Sequence, residues 1–320
     1  MVSLTSRTEV QALLARYGLA PHKKLGQNFL FDGNILRAIA DAVEPEGKAI
    51  LEIGPGLGAL TQQLAQRARR VLAVEIDRGF LSVLGETLQP WGIETADARR
   101  VPIWEPGEEV PEGVWSEGNR AAILHADILK ASLAGLYEIL GGRFSVCANL
   151  PYYITTPILM SLLESGLPID SIVVLVQKEM AERLAAQPSS KAYGSLSIAA
   201  QYYARSETLF DVSASCFLPA PNVDSTVLRL YTHETALSGE AEKRFFAVVR
   251  AGFAMRRKTL ANNLRAAFPS LTGENIRAAL VRCGFSADIR GEKLSIEQFM
   301  LLAKELPFGE SPRVSLQDLN

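Results

Sequence analysis

A strand, a glycine-rich turn, a helix and a second strand follow one another near the start of the chain. Residues 49–53 form an apolar run, residues 54–58 contain three glycines, and residues 61–69 have helical spacing before a second apolar run at 71–77. Two buried strands joined through a helix are typical of a parallel, doubly wound sheet. The pattern therefore predicts an α/β fold, a Rossmann-like sheet with helices on both faces.

The glycine turn predicts a ligand site. Glycines let backbone N–H groups and a helix N-terminus approach a ligand closely, and Glu75, about 20 residues further on, can accept hydrogen bonds from ribose hydroxyls. Gly54, Gly56 and Ala59 also satisfy the dinucleotide fingerprint of dehydrogenases. However, Glu52 just before the turn suits a cationic ligand. A methyltransferase using the cationic cofactor S-adenosylmethionine (SAM) is therefore favoured over a dehydrogenase.

The third glycine of the turn, Gly58, lies one residue before the third position of the dehydrogenase fingerprint, which Ala59 occupies. This shift also favours a methyltransferase over a dehydrogenase. A further acid is expected to accept a hydrogen bond from the adenine amino group of the cofactor. Asp127 is preferred because an apolar strand pattern at 121–127 leads directly into it, whereas Asp97 lacks such a strand. The intervening segment 104–118, rich in proline, glycine and glutamate, is predicted to be an excursion from the sheet.

A second candidate site follows the apolar run 144–148. The Asn149 side chain can accept a hydrogen bond from an amino group, and Pro151 biases Leu150 towards an extended conformation that turns its carbonyl into the same crevice. Tyr152 offers a ring on which a planar base can stack. This arrangement suits the exocyclic amine N6 of adenine. The alternative is a Pro-Tyr turn that merely ends a strand.

The rest of the first domain yields further predictions. Thr156 is expected to be the N-cap of a helix, and the runs 208–212 and 226–231 are expected to be the last strands, as an antiparallel edge. Between them, prolines at 219 and 221 stiffen a loop that would hold Phe217 over a ligand. The alternative is that Phe217 is a core residue.

Composition changes at the polar linker 232–240, after which only helical patterns follow. We predict a catalytic domain at 1–235, with an N-terminal helical arm over about 1–46, and a small all-α RNA-binding domain at 236–320. The net charge of −2 is unusual for a nucleic-acid-binding protein. Residues 247–273 nevertheless contain no acid. Their basic residues, with the run 256–258 on a predicted helix over 257–267, either grip phosphates or form a solvated helix face.

Several classes of protein are not indicated. No apolar run is long enough to span a bilayer, and the N-terminus lacks the pattern of a signal peptide. The three cysteines and three histidines are dispersed, which predicts neither disulfides nor a metal site. A cytoplasmic protein is expected.

Six motifs occur in the order of a known family, at residues 26–30, 52–58, 149–152, 177–179, 191–194 and 217–225. Together they resemble the small-subunit rRNA adenine dimethyltransferases of the KsgA (RsmA)/Dim type, over about residues 23–301. Relatives that dimethylate a large-subunit adenine share the fold and the Asn-Leu-Pro-Tyr motif. The loops at 191 and 217 are more similar to the small-subunit group. The stretch 85–118 is longer than family members usually carry.

The resemblance implies a monomer without a metal, which uses SAM and releases S-adenosylhomocysteine. Its substrate would be two adjacent adenines in the 3′-terminal hairpin loop of 16S-type rRNA, dimethylated at N6 within an immature 30S particle. The implied cofactor contacts are Asn28, Leu30, Gly54, Glu75, Asp127 and Asn149. The implied contacts to the target adenine are Asn149, Leu150, Tyr152 and, on its other face, Phe217. Predicted RNA contacts are Lys23, Lys24, Lys191, Arg256, Arg257 and Lys258.

Two other functions remain open. The chain could be a ribosome-assembly or RNA-binding factor with secondary or lost methylation, because folds are reused for binding alone. It could also be a large-subunit rRNA methyltransferase of the resistance type. The intact residues 54–58 and 149–152 favour retained catalysis.

Overall fold

The computed structural model of the chain describes residues 4–21, 26–89, 101–115 and 118–308. Contacts divide the chain into two units, the first comprising residues 1–181 and 207–232 and the second residues 182–206 and 233–320. Residues 182–206, which the sequence analysis places in the catalytic domain, therefore group with the C-terminal helices.

A seven-stranded sheet forms the centre of the first unit. The strands of the described residues are β1 (Phe29–Leu30), β2 (Ala49–Ile53), β3 (Arg70–Glu75), β4 (Ala121–His125), β5 (Phe144–Asn149), β6 (Ile169–Gln177), β7 (Ala204–Val212), β8 (Phe217–Leu218) and β9 (Ser225–Thr232). The sheet has the order β4-β3-β2-β5-β6-β9-β7. Neighbours from β4 to β6 are parallel, and β9 is antiparallel to β6. The predicted α/β sheet is confirmed.

Helices flank the sheet and form most of the second unit. They are α1 (Arg7–Arg16), α2 (Gly33–Ala42), α3 (Ala59–Ala65), α4 (Arg78–Thr87), α5 (Leu133–Leu140), α6 (Thr155–Glu164), α7 (Lys178–Leu184), α8 (Ser195–Tyr203), α9 (Gly239–Phe253), α10 (Leu260–Ala267), α11 (Gly273–Arg282) and α12 (Ile296–Glu305). No helix in the described ranges is both long and apolar enough to cross a membrane.

The central strands place the candidate site residues together. All five residues of β2 are buried, as expected for a parallel strand covered on both faces. Ile53 at the end of β2 is in register with Val74 of β3 and Ala148 of β5. The carboxyl ends of these three strands therefore meet at one edge of the sheet, where ligands bind in folds of this kind.

The N-terminal arm packs into the core of the first unit. The strand β1 pairs antiparallel with β8, so that Phe29 faces Leu218 and Leu30 faces Phe217. Apolar side chains of α1 and α2 belong to the same buried cluster as those of α3 and α4. This ribbon carries residues 26–30 to the edge of the sheet at which β2, β3 and β5 end.

The predicted start of α6 is wrong by two residues. A 3-10 turn at Tyr152–Ile154 runs directly into α6, whose N-cap position is Ile154. Thr156 lies inside the helix, and its hydroxyl donates to the Met180 sulfur. The hydroxyl of Thr155 instead donates to the Pro151 carbonyl at 3.1 Å. The preceding turn supplies the helix start, and no side-chain cap is needed.

The described part of the predicted excursion, residues 101–115, packs along the edge strand β4. Ile103 forms a parallel bridge with His125. Trp104 is buried against Gly135 of α5, where a Cβ atom would lie 2.4 Å from the Trp104 ring. The Trp115 indole donates to the Ile139 carbonyl at 2.8 Å. Two tryptophans thus anchor this segment, which covers the outer strand of the described sheet.

The second unit is a helical cluster with an aromatic centre. The ring of Tyr202 lies 5.0 Å from that of Phe245 and 5.2 Å from that of Phe246. The prediction of a helix over 257–267 is wrong at its start, because Thr259 caps α10 through the backbone N–H of Asn262. The basic run 256–258 therefore lies in a turn between α9 and α10, which we call the basic turn.

Candidate active site

A cavity of about 340 Å³ opens at the carboxyl ends of the central strands. This volume lies within the range of small-molecule sites. The predicted cofactor contacts Asn28, Leu30, Gly54, Glu75, Asp127 and Asn149 all line it, and so do Leu150 and Tyr152. The structure thus brings these eight residues together. Their individual roles stay predictions.

The glycine turn adopts a backbone that favours glycine. Gly54 and Gly56 have φ of 70° and 55°, in the left-handed region. A Cβ atom at Gly56 would lie 3.3 Å from the Phe29 ring, and one at Gly58 would lie 3.1 Å from Leu84 and Thr87. Gly58 is therefore the close-packing glycine that lets α3 approach α4, as its position in the motif indicates.

Glu75 at the end of β3 is held by backbone donors. The N–H groups of Gly56 and Asp77 donate to its two carboxylate oxygens at 3.1 and 2.8 Å. Burial raises the pKa of Glu75 to about 7, although these hydrogen bonds lower it. Each oxygen has a further lone pair, so the carboxylate can still accept ribose hydroxyls.

Glu52 is a buried acid in the cavity wall. Its side chain is 1% exposed, and within the described ranges its Oε2 atom has no hydrogen-bond partner. Burial raises the pKa of Glu52 to about 8, while the Thr61 hydroxyl lowers it and the charge of Glu75 raises it. An unpaired buried carboxylate is costly unless a donor or cation meets it. The sulfonium and ammonium groups of SAM fit this requirement.

Asp127 lies just beyond β4 at the cavity. The Leu129 N–H donates to one of its oxygens at 3.1 Å, and the Lys130 ammonium lies 3.5 Å from the other. These contacts hold a half-buried acceptor where the sequence predicts a partner for the cofactor adenine. The alternative Asp97 falls outside the described residues.

Asn149 is oriented by the N-terminal segment. Its amide nitrogen donates to the Asn28 carbonyl at 3.2 Å, and the Asn28 side chain donates to the Gly26 carbonyl at 3.0 Å. The amide group therefore presents its oxygen as the remaining acceptor. Asn28, predicted as a cofactor contact, thus also sets which atom Asn149 offers to a ligand.

Tyr152 is tethered through its hydroxyl group to β9. Its hydroxyl lies 2.9 Å from the hydroxyl of Ser225, the first residue of β9. The ring is half-buried and lines the cavity. Ser225 is a site residue that was not predicted from the sequence. Its place as the last residue of the motif at 217–225 is the signal that could have identified it.

Phe217 is not among the residues that line the cavity, although its strand partner Leu30 is. It forms β8 with Leu218, is 2% exposed and belongs to the buried core cluster. A ring without a free face cannot stack on a base, so this conformation corresponds to the alternative of a core residue. The predicted contact of Phe217 with the target adenine therefore gains no support from this conformation and stays a prediction.

The predicted RNA contacts of the second unit are neighbours. Arg256 donates to the Lys191 carbonyl at 3.0 Å and pairs with Glu292 at 3.2 Å, so it anchors the loop as well as carrying charge. Arg257 and Lys258 are exposed beside it. The buried Asn263 amide donates to the carbonyls of residues 252 and 255 and supports the basic turn. Lys23 and Lys24 lie outside the described residues.

A model of the family described as "Ribosomal RNA adenine dimethylase" matches residues 18–95 and 110–307. Curated relatives cover nearly all of the chain. "Ribosomal RNA small subunit methyltransferase A" of Anoxybacillus flavithermus is 42% identical over 95% of this chain and 96% of its own length. The protein of the same name from Geobacillus kaustophilus is 45% identical over 92% of this chain and 94% of its own length.

Solved structures have the same fold. The 23S rRNA methyltransferase ErmE has a TM-score of 0.62 at 25% identity, covering 87% of this chain and 99% of its own. A dimethyladenosine transferase from Plasmodium falciparum has a TM-score of 0.65 at 22% identity, covering 85% of this chain and 95% of its own.

Proposed function

Since the chain belongs to the ribosomal RNA adenine dimethylase family, we propose that it dimethylates N6 of two adjacent adenines in the 3′-terminal hairpin loop of small-subunit rRNA. The protein is a methyltransferase, and its curated relatives are named for the small subunit. We place the reaction late in 30S assembly, in the cytoplasm. The observation that carries the proposal is the orientation of Asn149, whose amide oxygen is left as an acceptor in the cavity wall.

SAM, which supplies the electrophilic methyl group, suits the described cavity. The glycine turn, Glu75 and Asp127 would hold its adenosine moiety, and Glu52 would face its positive charge. The fit rests on the left-handed glycines, on two acids at the ends of β3 and β4, and on the unpaired Oε2 of Glu52.

The protein's task is to make a weak nucleophile reactive. The lone pair of N6 is delocalised into the adenine ring. The Asn149 oxygen and the Leu150 carbonyl would accept the two N6 hydrogens, which favours a pyramidal nitrogen and localises its lone pair. By orienting the amine and stabilising its developing charge, these groups would lower the barrier to methyl transfer. A strong base is not required for the attack, because the methyl donor is cationic and its leaving group is neutral; the methylated amine, which would then carry the positive charge, would release its proton to water.

The target base must leave its stack. Extruding a base costs a few kcal/mol, and less in a single-stranded loop. The Tyr152 ring, tethered through its hydroxyl to Ser225, would receive the base and offset this cost.

Mass spectrometry of rRNA tests the proposal directly. Immature 30S particles are incubated with the protein and labelled SAM, and both rRNAs are digested and sequenced by mass. We expect two adjacent N6-dimethyladenosines near the 3′ end of the small-subunit rRNA. Label in large-subunit rRNA would instead indicate a resistance-type enzyme, and particle binding without label would indicate an assembly factor.

A further inference from the structure

Tyr153 differs sharply from its neighbour Tyr152. Both line the cavity, but Tyr153 is 57% exposed, whereas Tyr152 is half-buried and tethered to Ser225. The 3-10 turn that contains both residues points consecutive side chains in different directions. The two rings therefore have different surroundings, one within the cavity wall and one largely in solvent.

The Tyr153 ring lies beside the segment that contains Gly26. A Cβ atom at Gly26 would lie 3.5 Å from the Cδ1 atom of Tyr153 and 3.6 Å from Pro151. Gly26 has φ of 59°, a left-handed conformation that favours glycine. The segment that orients Asn149 through Asn28 thus also passes beside Tyr153. A Cβ atom at position 26 would make only ordinary van der Waals contacts there, so it is the backbone conformation that favours glycine.

Exposed apolar side chains surround the cavity. Ile76 and Leu129, which are 54% and 42% exposed, line it together with Tyr153. Single exposed apolar residues are ordinary, but several around one opening indicate a binding surface. Ile76 and Leu129 flank Glu75 and Asp127, where the cofactor adenosine is expected. Tyr153 instead follows the residues expected to grip the target base.

A single-stranded RNA loop presents the chemistry that fits this ring. When one base enters the cavity, the next base loses a stacking neighbour and keeps an uncovered face. Proteins that bind single strands cover such faces with aromatic side chains, with little dependence on base identity. We propose that Tyr153 is a second stacking platform, which binds the nucleobase adjacent to the target adenine. This inference rests on the proposed function.

Steady-state kinetics on immature small-subunit particles test the platform. From the usual strength of base–aromatic stacking, we expect Tyr153→Ala to raise KM for the particle about tenfold while kcat changes by less than about threefold. Tyr153→Phe keeps the ring and should behave like the wild type. Ile103→Ala removes a comparably exposed side chain outside the cavity and serves as the matched control.

Two further measurements identify what the ring contacts. Ultraviolet crosslinking followed by mass spectrometry should attach the nucleotide beside the target adenine to Tyr153. SAM affinity, measured by calorimetry, should be the same in Tyr153→Ala and the wild type. If the KM of Tyr153→Ala for the particle stayed within about twofold of the wild-type value, the inference would be overturned. It would also be overturned if Tyr153→Ala lost SAM affinity by as large a factor as its KM rose. If the wild type itself transferred no label, the proposed function would fail first.

Discussion

At the residue scale, the cavity is built from side chains whose orientation depends on backbone groups. Asn149 is fixed by the Asn28 carbonyl, and Glu75 by the N–H groups of Gly56 and Asp77. Each of these partners belongs to a turn or an extended segment at the edge of the sheet. The chemistry of each polar side chain is therefore set by the local backbone that leads into or out of a strand.

Replacing Asn149 tests whether its amide activates the target amine. We expect Asn149→Ala to lower kcat by at least about a hundredfold, the usual effect of removing one oriented polar group in a transition state. Asn149→Asp keeps the acceptor but loses the donor to Asn28, so it should also be impaired. Single-turnover methyl transfer measures the effect, with SAM and particle affinities measured in parallel. Normal turnover by Asn149→Ala would contradict the mechanism.

Glu52 and Glu75 predict how stability depends on pH. Burial raises their pKa values from 4.5 to about 8 and about 7. Between pH 4.5 and the raised pKa of each group, the folded protein without cofactor binds more protons than the unfolded chain. Its free energy of unfolding therefore falls as pH rises from about 5 to about 8, by up to about 1.4 kcal/mol per pH unit for each carboxyl. Urea denaturation across this range measures the slope.

The variant Glu52→Gln separates the two acids. Its slope should be shallower than that of the wild type across this range, and little slope should remain in the variant towards pH 8, because Glu75 titrates near pH 7 and Glu52 titrates last. SAM should also bind the wild type more tightly as pH rises, since the charged carboxylate meets a cation. A stability that rises with pH across this window would show that these carboxyls are not protonated in the folded protein.

At the element scale, residues 101–109 are an addition at the sheet edge. The family model has no match for residues 96–109, and the described part of this stretch bridges to β4 and buries Trp104. Gly135 of α5 makes this contact possible, because any larger side chain would overlap the Trp104 ring. The segment thus packs against α5 at the position where Gly135 leaves room for the Trp104 ring.

The variant Gly135→Ala tests this docking. Alanine normally stabilises a helix relative to glycine, but here the added methyl group should displace Trp104 and cost about 1–3 kcal/mol. The matched control is Gly273→Ala in α11, where a Cβ atom would meet nothing nearer than 3.8 Å. Urea denaturation and tryptophan fluorescence report the change, and equal stabilities of the two variants would contradict the contact.

At the scale of the whole molecule, charge distribution matters more than net charge. The chain carries a net charge of −2, yet the second unit places Lys191 and the basic turn together. Arg256 is paired with Glu292 and anchors the loop, so the exposed Arg257 and Lys258 are better placed to meet phosphates. A nearly neutral protein can therefore present a local basic surface to RNA.

The double variant Arg257→Gln/Lys258→Gln tests this surface. Particle affinity should fall, and the slope of log K against log salt should decrease by about 0.7–0.9 for each phosphate that the variant no longer neutralises. SAM affinity should not change. The variant Arg277→Gln/Lys304→Gln removes the same charge from exposed positions of the same unit and should keep the wild-type slope. Identical slopes in both double variants would remove the basic turn from the RNA-binding surface.

Local patterns in the sequence determined the α/β sheet, the glycine turn, the acids at the ends of the strands and the helical nature of the C-terminal region. These features depend on neighbouring residues, through apolar periodicity and turn chemistry. The predicted cofactor contacts line the cavity because strand ends of a parallel sheet meet at one edge.

Contacts between distant residues were decided only by the tertiary structure. Asn149 is oriented by a carbonyl 121 residues away, and Tyr152 by a hydroxyl 73 residues away. Phe217 is buried because β8 pairs with β1, and residues 182–206 group with helices that follow residue 233. Such contacts leave no periodic trace in the chain, because they depend on how the folded elements pack and not on the residues beside them.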